Sequence, residues 1–279
     1  MISVIIETLR EAALRIDTLL KDTSTSYLQS TNASGDSQLE VDVEADRLLQ
    51  EMLLELPCVK GICSEEQASI VYSKNTQAPY LIAYDPLDGS SLFDSNLSIG
   101  TIFGIYNEEL KADSLIASGY IIYGVRLEMV IAQEQVLHSR YNGKVWKNLG
   151  ALQLQSKGKL NAPGGTQKNW ESKHKAMVES LFAQGYRLRY SGGMVPDLHQ
   201  ILIKGGGLFS YPATSDAPQG KLRKLFEVFP FAFIYEKAGG VATNGKKRLL
   251  ELGTENLHDT TPCFFGSTYE MNLVKEVYE

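Results

Sequence analysis

Tyr80-Leu81-Ile82-Ala83-Tyr84-Asp85-Pro86-Leu87-Asp88-Gly89-Ser90-Ser91 is the stretch on which the reading of this chain turns. Its first five residues form an apolar run suited to a short buried strand. The acidic residues follow at once, at the end of that strand and in its loop. Asp85 and Asp88 lie three apart in a turn fixed by Pro86 and freed by Gly89, so their carboxylates can converge on one or two hard cations. Carboxylate oxygens suit Mg²⁺ or Mn²⁺. The amides of Gly89, Ser90 and Ser91, in a turn ahead of a short helix, can form an anion-binding nest. Metal ligands and phosphate donors within seven residues point to phosphoryl chemistry. An ordinary polar turn after a strand would have the same local pattern.

Outward from this stretch, other carboxylates strengthen the chemical reading. Glu65 and Glu66 are adjacent, just after the apolar segment 56–63. Asp36 and Asp42 flank the Ser/Thr/Asn/Gly-rich segment 21–38, which reads as a mobile loop. Glu227 lies inside an apolar helical pattern, where a carboxylate is costly to bury unless it is paired or bound to metal. Each of these alone is equally at home on a solvated surface or at a helix cap.

The chain has 279 residues and falls into two patterns. In the first, helices over about 4–20 and 40–56 flank strands at 80–84, 99–106, 115–123, 127–132 and 151–155, whose short turns suggest antiparallel pairing. Asp42 and Asp46 are expected on a different face of the second helix from Ala45, Leu49 and Met52. In the second, helices near 171–184 and 196–204 alternate with strands at 186–190 and 207–211. A long helix over 222–238, kinked at Pro230, is stopped by Gly239-Gly240. A strand at 263–266 leads to a last helix that Ser267 and Glu270 would open as a capping box. We place the boundary near 152, giving an N-terminal α+β part (1–152) and a C-terminal α/β part (153–279).

Composition narrows the functional classes. Hydrophobic residues make up 43% and charged residues 22%, ordinary for a folded globular chain. A net charge of −6 suits a generic nucleic-acid binder poorly, and no apolar run is long enough for a membrane span. No secretory signal is visible, and Cys58, Cys63 and Cys263 show no disulfide framework, so the cytoplasm is the expected compartment. His138, His174, His199 and His258 lack zinc spacing and are read as structural or surface residues. Lys246-Lys247-Arg248 reads as a solvated loop.

The segment DPLDGSSLFDSNLSIGTIFGIY at 85–106 closely resembles the signature of class I fructose-1,6-bisphosphatases. So do NASGD at 32–36, SEE at 64–66, RYSGGMVPD at 189–197, GKLRKLFEV at 220–228 and EKAGG at 236–240. They occur in family order along nearly the whole chain. DPLDGSS by itself would indicate only the wider family of metal-dependent sugar and inositol phosphatases.

The resemblance implies a layered α-β-α-β-α fold and Mg²⁺-dependent hydrolysis of the 1-phosphate of fructose 1,6-bisphosphate, a gluconeogenic reaction. It implies two or more cations per subunit, with Mn²⁺ as an alternative, and a homotetramer. Glu65, Glu66, Asp85, Asp88 and Glu227 match metal-binding carboxylates, and Leu87 supplies a backbone carbonyl. Asp42 and Glu66 match the pair that activates the attacking water. Asp36 matches a loop residue carried into the site on closure. Asp88, Gly89, Ser90 and Ser91 match the surroundings of the 1-phosphate. Asn161, Tyr190, Tyr211 and Lys221, with Arg223 beside Lys221, match positions for the 6-phosphate and sugar. Arg189 matches an arginine that reaches a neighbouring subunit's 6-phosphate, and Met194, after Gly192 and Gly193, matches backbone around the sugar.

Some positions depart from the family. Leu92 stands where Asn is usual, Phe226 where many members have Tyr, and Gly193 where animal enzymes have Ser. The GGMVPD and LFEV stretches also resemble sedoheptulose-1,7-bisphosphatases, so a dual sugar bisphosphatase is an alternative; a non-catalytic sugar-phosphate sensor is a third reading. A shorter loop after the first helix, Pro79 before Tyr80 and Asp113 at an arginine's position imply weak or absent inhibition by AMP. The cysteine-bearing insertion of the chloroplast enzyme is missing, so thiol activation is not expected.

Overall fold

The strand Tyr80–Asp88 is a central member of an eight-stranded sheet. In order across that sheet run Trp146–Ala151, Val136–Tyr141, Glu128–Ala132, Leu115–Tyr123, Ile99–Asn107, Tyr80–Asp88, Val59–Ser64 and Val71–Tyr72. Every pairing is antiparallel except that of Val59–Ser64 with Tyr80–Asp88. The computed structural model describes residues 1–22, 27–31 and 37–279, with side chains described for 1–22 and 39–279.

The strand continues through the acidic motif instead of ending before it. Asp85 pairs with Ile102 and Asp88 with Gly100, so three residues on one strand face two on the other. That is a bulge, and it is where Pro86, which has no N–H to give to the ladder, can be accommodated. Thr101 Oγ1 donates to the Pro86 carbonyl at 2.8 Å and closes the distortion. In a regular strand residues three apart point to opposite faces. The extra residue brings Asp85 and Asp88 to the same side.

Side chains alternate along the strand and so divide the core in two. Ile82 and Tyr84 pack toward helices α1 (Ile2–Asp22) and α2 (Glu40–Leu54), against Ile5, Leu9, Ile16, Ala45 and Leu49. Leu81 and Ala83 face the opposite way. The C-terminal half supplies α3 (Ser172–Ala183), α4 (Met194–Ile203), α5 (Phe229–Lys237) and α6 (Thr268–Tyr278). Val195, Leu198 and Ile201 of α4 and Phe229, Phe231 and Ile234 of α5 fill the layer between the first sheet and a second. That five-stranded sheet runs Arg187–Leu188, Leu160–Pro163, Gly207–Tyr211, Cys263–Gly266, Val241–Thr243. Its first three strands are parallel, and Cys263–Gly266 is antiparallel to both neighbours. Phe209 and Phe265 point inward to α4 and α5, whereas Leu208 and Phe264 point outward to Met177, Leu181, Met271 and Val274 on α3 and α6. Burial of each large apolar side chain contributes about 1.5–3 kcal/mol. The result is the α-β-α-β-α layering expected from the sequence.

Several local expectations are corrected. Strands Val136–Tyr141 and Trp146–Ala151 form the far edge of the large sheet, and 152–155 are not strand. Part of the segment read as loop is paired: Tyr27–Thr31 and Ser37–Leu39 form an antiparallel pair, with Tyr and Thr suiting strand as well as loop. Asp42 and Asp46 lie on the buried side of α2 with Val41, Ala45 and Leu49, not on a separate face. The long helix over 222–238 is three elements: a short strand Leu222–Arg223, a π-helical turn Lys224–Val228, and α5, which carries Pro230 in its first turn. Proline is tolerated there because a first-turn N–H has no intrahelical acceptor. Glu270 does not cap α6. It is fully buried and accepts the Tyr186 hydroxyl at 2.5 Å and the Gly158 amide at 2.7 Å.

Candidate active site

The bulged strand end, the turn after Val59–Ser64, the start of α2 and the π turn all deliver carboxylates to one cleft of about 280 Å³ between the two halves. Glu65, Asp85 and Glu227 form its floor. One carboxylate oxygen from each lies within 4.8 Å of the others, and all three residues are buried. The π turn matters here, because its wider ring rotates Glu227 into the cleft while Leu225, Phe226 and Val228 stay in the core. Glu227 Oε2 accepts the Arg223 backbone N–H at 2.6 Å.

Like charges packed out of water raise one another's pKa. Burial, then the neighbouring Glu227 charge, push Glu65 up to about 8. Burial pushes Glu227 up to about 7, against the lowering effect of Arg223. Asp85 is raised well above the usual carboxylate range by burial and by Glu65. Glu65 Oε2 has no hydrogen-bond partner among the described residues. A buried, unpartnered carboxylate oxygen beside two more acids fits a hard divalent cation.

Arg223 is where the structure departs most from the sequence reading. It was expected beside the distal phosphate, yet its Nη1 lies 2.7 Å from Glu65 Oε1 and 4.0 Å from Glu227 Oε2. It lies against the acidic floor, and Lys221, which lines the same cleft, also lowers the Glu227 pKa from a distance.

Asp88 has a second task. Its Oδ1 accepts the Met194 N–H at 3.0 Å and its Oδ2 the Val195 N–H at 2.6 Å. These are the first amides of α4, where a carboxylate complements the helix dipole. One side chain thus joins the first sheet to the C-terminal half. Burial still pushes it up to about 7, against those two hydrogen bonds. Gly89 follows with φ +76°, a left-handed conformation that costs a Cβ-bearing residue, and a Cβ there would also stand 3.1 Å from Gly193 Cα. The turn continues into the short helix Ser90–Leu92, so the expected helix after the motif is present.

Asp42 reaches the cleft from the first turn of α2. Its Oδ2 accepts the Leu39 N–H at 3.0 Å, and its Oδ1 has no partner among the described residues. Burial pushes it up to about 7, with a further rise from Glu66, which also lines the cleft. Across from the acids stand Tyr190, Tyr211 and Lys221, with Gly192, Gly193 and Met194 on the adjoining rim. Leu87, Ser90 and Ser91 also line it.

Two expected residues, Asn161 and Arg189, do not line this cleft. Asn161 is fully buried in the strand Leu160–Pro163, and its side-chain amide has no partner among the described residues. Arg189 points away, its Nη1 donating to the Leu188 carbonyl at 2.7 Å. Asp36 lies outside the described residues. Sequence reasoning missed Asp197, a buried acid on α4 that accepts the Ser191 N–H at 2.8 Å and shapes the turn carrying Gly192 and Gly193. Its signal was an acid in the first turn of a helix after a Gly-Gly pair.

Glu128, His138 and His199 form a second cluster away from the cleft. Glu128 Oε1 already accepts Arg126 and Arg140 Nε at 2.7 Å each, and His138 Nε2 bonds Oε2 at 2.7 Å. Two guanidinium groups on one carboxylate make this an ion network that holds the sheet to α4.

An acidic floor that calls for cations, facing a wall of tyrosines and a lysine that can hold an anion without one, defines a metal-assisted phosphatase of sugar phosphates. Comparison with known proteins narrows the class. Residues 2–154 match the family description "Fructose-1-6-bisphosphatase, N-terminal domain", and residues 154–279 match "Fructose-1-6-bisphosphatase, C-terminal domain". The chain is 80% identical to the class 1 fructose-1,6-bisphosphatase of Helicobacter hepaticus over the full length of both. It is 52% identical to that of Campylobacter jejuni over 98% of each chain. Its fold matches a Leishmania major fructose-1,6-bisphosphatase in holo form, with a TM-score of 0.92 and 28% identity over 98% of this chain and 92% of that one. A Toxoplasma gondii protein provisionally assigned as a sedoheptulose-1,7 bisphosphatase gives a TM-score of 0.90 and 30% identity over 98% and 93%. The chain belongs to the class 1 fructose-1,6-bisphosphatase family.

Proposed function

We propose that this chain hydrolyses the 1-phosphate of fructose 1,6-bisphosphate, releasing phosphate and fructose 6-phosphate, with Mg²⁺ as the working cation and Mn²⁺ as a substitute. The observation that carries this reading is the convergence of buried Glu65, Asp85 and Glu227 in the same cleft as the Gly89-Ser90-Ser91 amides and the Tyr190, Tyr211 and Lys221 wall.

Glu65, Glu66, Asp85, Asp88 and Glu227, with the Leu87 carbonyl, would hold two or more cations. When bound there, they neutralise phosphoryl charge and stabilise the leaving sugar oxygen. The amides of Gly89, Ser90 and Ser91 orient the 1-phosphate. Asp42, aided by Glu66, accepts the proton of the attacking water, and a carboxyl near 7 suits a general base at neutral pH. Water oxygen bonds to phosphorus, the bond from phosphorus to the C1 oxygen breaks, the leaving oxygen takes a proton from solvent, and Asp42 returns its proton to solvent. Tyr190, Tyr211 and Lys221 hold the 6-phosphate, with Met194 and its glycines against the sugar. The resemblance assigns Asp36 a role in catalysis beside Asp42 and Glu66.

Arg189, which does not line its own cleft, serves a neighbouring subunit in a homotetramer. The two parts, 1–152 and 153–279, divide cation handling from sugar binding, with Glu227 as the exception. No described helix is long and apolar enough to cross a membrane. We assign the enzyme to the cytoplasm. Phosphorus NMR of the reaction tests the regiochemistry: the 1-phosphate signal should vanish while the 6-phosphate persists, and loss of the 6-phosphate first would refute the orientation. The fold match to the Toxoplasma protein favours one second reading, a dual enzyme that also takes sedoheptulose 1,7-bisphosphate. Competition between the two sugars for one site tests it.

A further inference from the structure

Behind the carboxylates, one hydrogen-bonded chain ties together the segments that carry them. Asp46 lies one turn after Asp42 on α2 and is buried. Its Oδ1 accepts the Tyr84 hydroxyl at 2.9 Å, and its Oδ2 accepts Gln67 Nε2 at 2.9 Å. Tyr84 directly precedes Asp85, and Gln67 directly follows Glu66. Gln67 Nε2 also donates to Gln50 Oε1 at 2.7 Å, one turn further along α2. The Gln67 carbonyl accepts His258 Nε2 at 2.9 Å, which makes Nε2 the protonated nitrogen. The His258 ring lies 5.2 Å from that of Phe226, the neighbour of Glu227. The next residue, Asp259, accepts the Lys224 N–H at 2.8 Å and so anchors the start of the π turn.

Tyr84 and Gln67 are the chain neighbours of Asp85 and Glu66, His258 packs on the neighbour of Glu227, and none of these side chains lines the cleft. The floor is a set of like charges that repel, so something must hold their spacing before any cation arrives. Both oxygens of Asp46 are engaged by neutral donors and, unlike Asp88, it does not line the cleft, so it is a strut and not a ligand.

We propose that Asp46, Gln67 and His258 form a brace across the two halves that sets the spacing of the cation-binding carboxylates. They are positioning residues for cation affinity. The inference rests on the proposed reading of Glu65, Glu66, Asp85 and Glu227 as the cation site. Outer partners of this kind are worth about 10- to 100-fold in metal affinity.

The test uses the full-length enzyme with Gln67→Leu, His258→Leu and His258→Gln, the last keeping an N–H donor for the Gln67 carbonyl. Mg²⁺ half-saturation, sugar-bisphosphate KM, kcat at saturating Mg²⁺ and Mg²⁺ binding by calorimetry are measured together. The two leucine variants should need about tenfold more Mg²⁺ or above, with KM held and kcat recovered at saturation, and His258→Gln should return toward the parent. Mg²⁺ half-saturation within about twofold of the parent in both leucine variants, whatever their stability, overturns the brace. So does a rise in KM that keeps step with the Mg²⁺ requirement. A parent enzyme with no Mg²⁺ dependence overturns the reading of the site itself, and the brace with it.

Discussion

Glu227→Gln removes one charge from the buried floor while keeping an amide oxygen for the Arg223 backbone N–H, now accepted at 2.6 Å. Burial raises this carboxyl from 4.5 to about 7. The folded state therefore holds the proton over a range where the unfolded chain releases it. Stability from this group is full below the unfolded pKa and falls as pH rises through the folded one. At neutral pH the loss is about 3 kcal/mol, taken from ~1.4 kcal/mol per pKa unit. The amide has no proton to lose. In chelator the variant should be more stable than the parent, by about 2 kcal/mol, because Glu65 and Asp85 share protons with Glu227 and the Arg223 attraction is already contained in the raised value. At ~2–4 °C per kcal/mol, the unfolding temperature should rise by about 5 °C. In Mg²⁺ the order should reverse. A cation at a hundred times its Kd stabilises the parent by about 2.7 kcal/mol, and the variant, with a ligand removed, should gain little. Thermal unfolding in chelator and in saturating Mg²⁺, beside turnover, reads both signs. A variant less stable than the parent without metal, or stabilised by Mg²⁺ as strongly as the parent, refutes the reasoning.

Other consequences are equally concrete. Gly100→Ala would set a Cβ 2.4 Å from Val195 Cγ1 and 2.6 Å from the Ile121 carbonyl, so it should lower stability by about 1–3 kcal/mol in urea unfolding. Unchanged stability there would show that α4 does not press on the sheet as described. His174 is fully buried, and burial lowers its pKa from 6.5 to about 4. Its neutral form is the folded one, so stability should fall by about 2 kcal/mol as pH drops from 7 to 5, and a His174→Phe variant should lose that part of the slope. AMP should inhibit weakly or not at all, because Pro79 and the exposed Asp113 stand where the nucleotide-binding Lys and Arg would be. Potent AMP inhibition in an activity titration would sink that expectation.

Most helices and central strands were legible because they depend on periodicity, whereas their layer order was implied by the family resemblance. The apolar stripe of α1, the alternation in 99–106 and 115–123, and the glycine stop after α5 are all local patterns. The two edge strands were not legible, since Trp146–Ala151 is largely exposed and carries no alternating pattern. Pro86 explains the other kind of miss. It reads as a turn residue, yet here it sits in a bulge inside a continuing strand, which depends on the partner strand Ile99–Asn107. At the site, Asp85, Asp88 and Glu227 were conspicuous as acids in or beside apolar runs, and the resemblance supplied the rest of the set. The position of Arg223 was not, because it sits in the two-residue strand Leu222–Arg223, which is too short to leave a period and is set by pairing with the distant Thr260–Thr261. Glu270 shows the same limit from the other side. Its spacing from Ser267 fits a capping box, but Tyr186 and Gly158, distant in sequence, hold it instead.

The central claim is that the buried carboxylates work through a divalent cation on a sugar bisphosphate. Phosphate release from fructose 1,6-bisphosphate, with Mg²⁺ and with chelator, beside an Asp85→Asn control, tests it most directly. The account predicts release that requires Mg²⁺ and is lost in the control. Release that persists in chelator, or that survives Asp85→Asn at the parent rate, would contradict it.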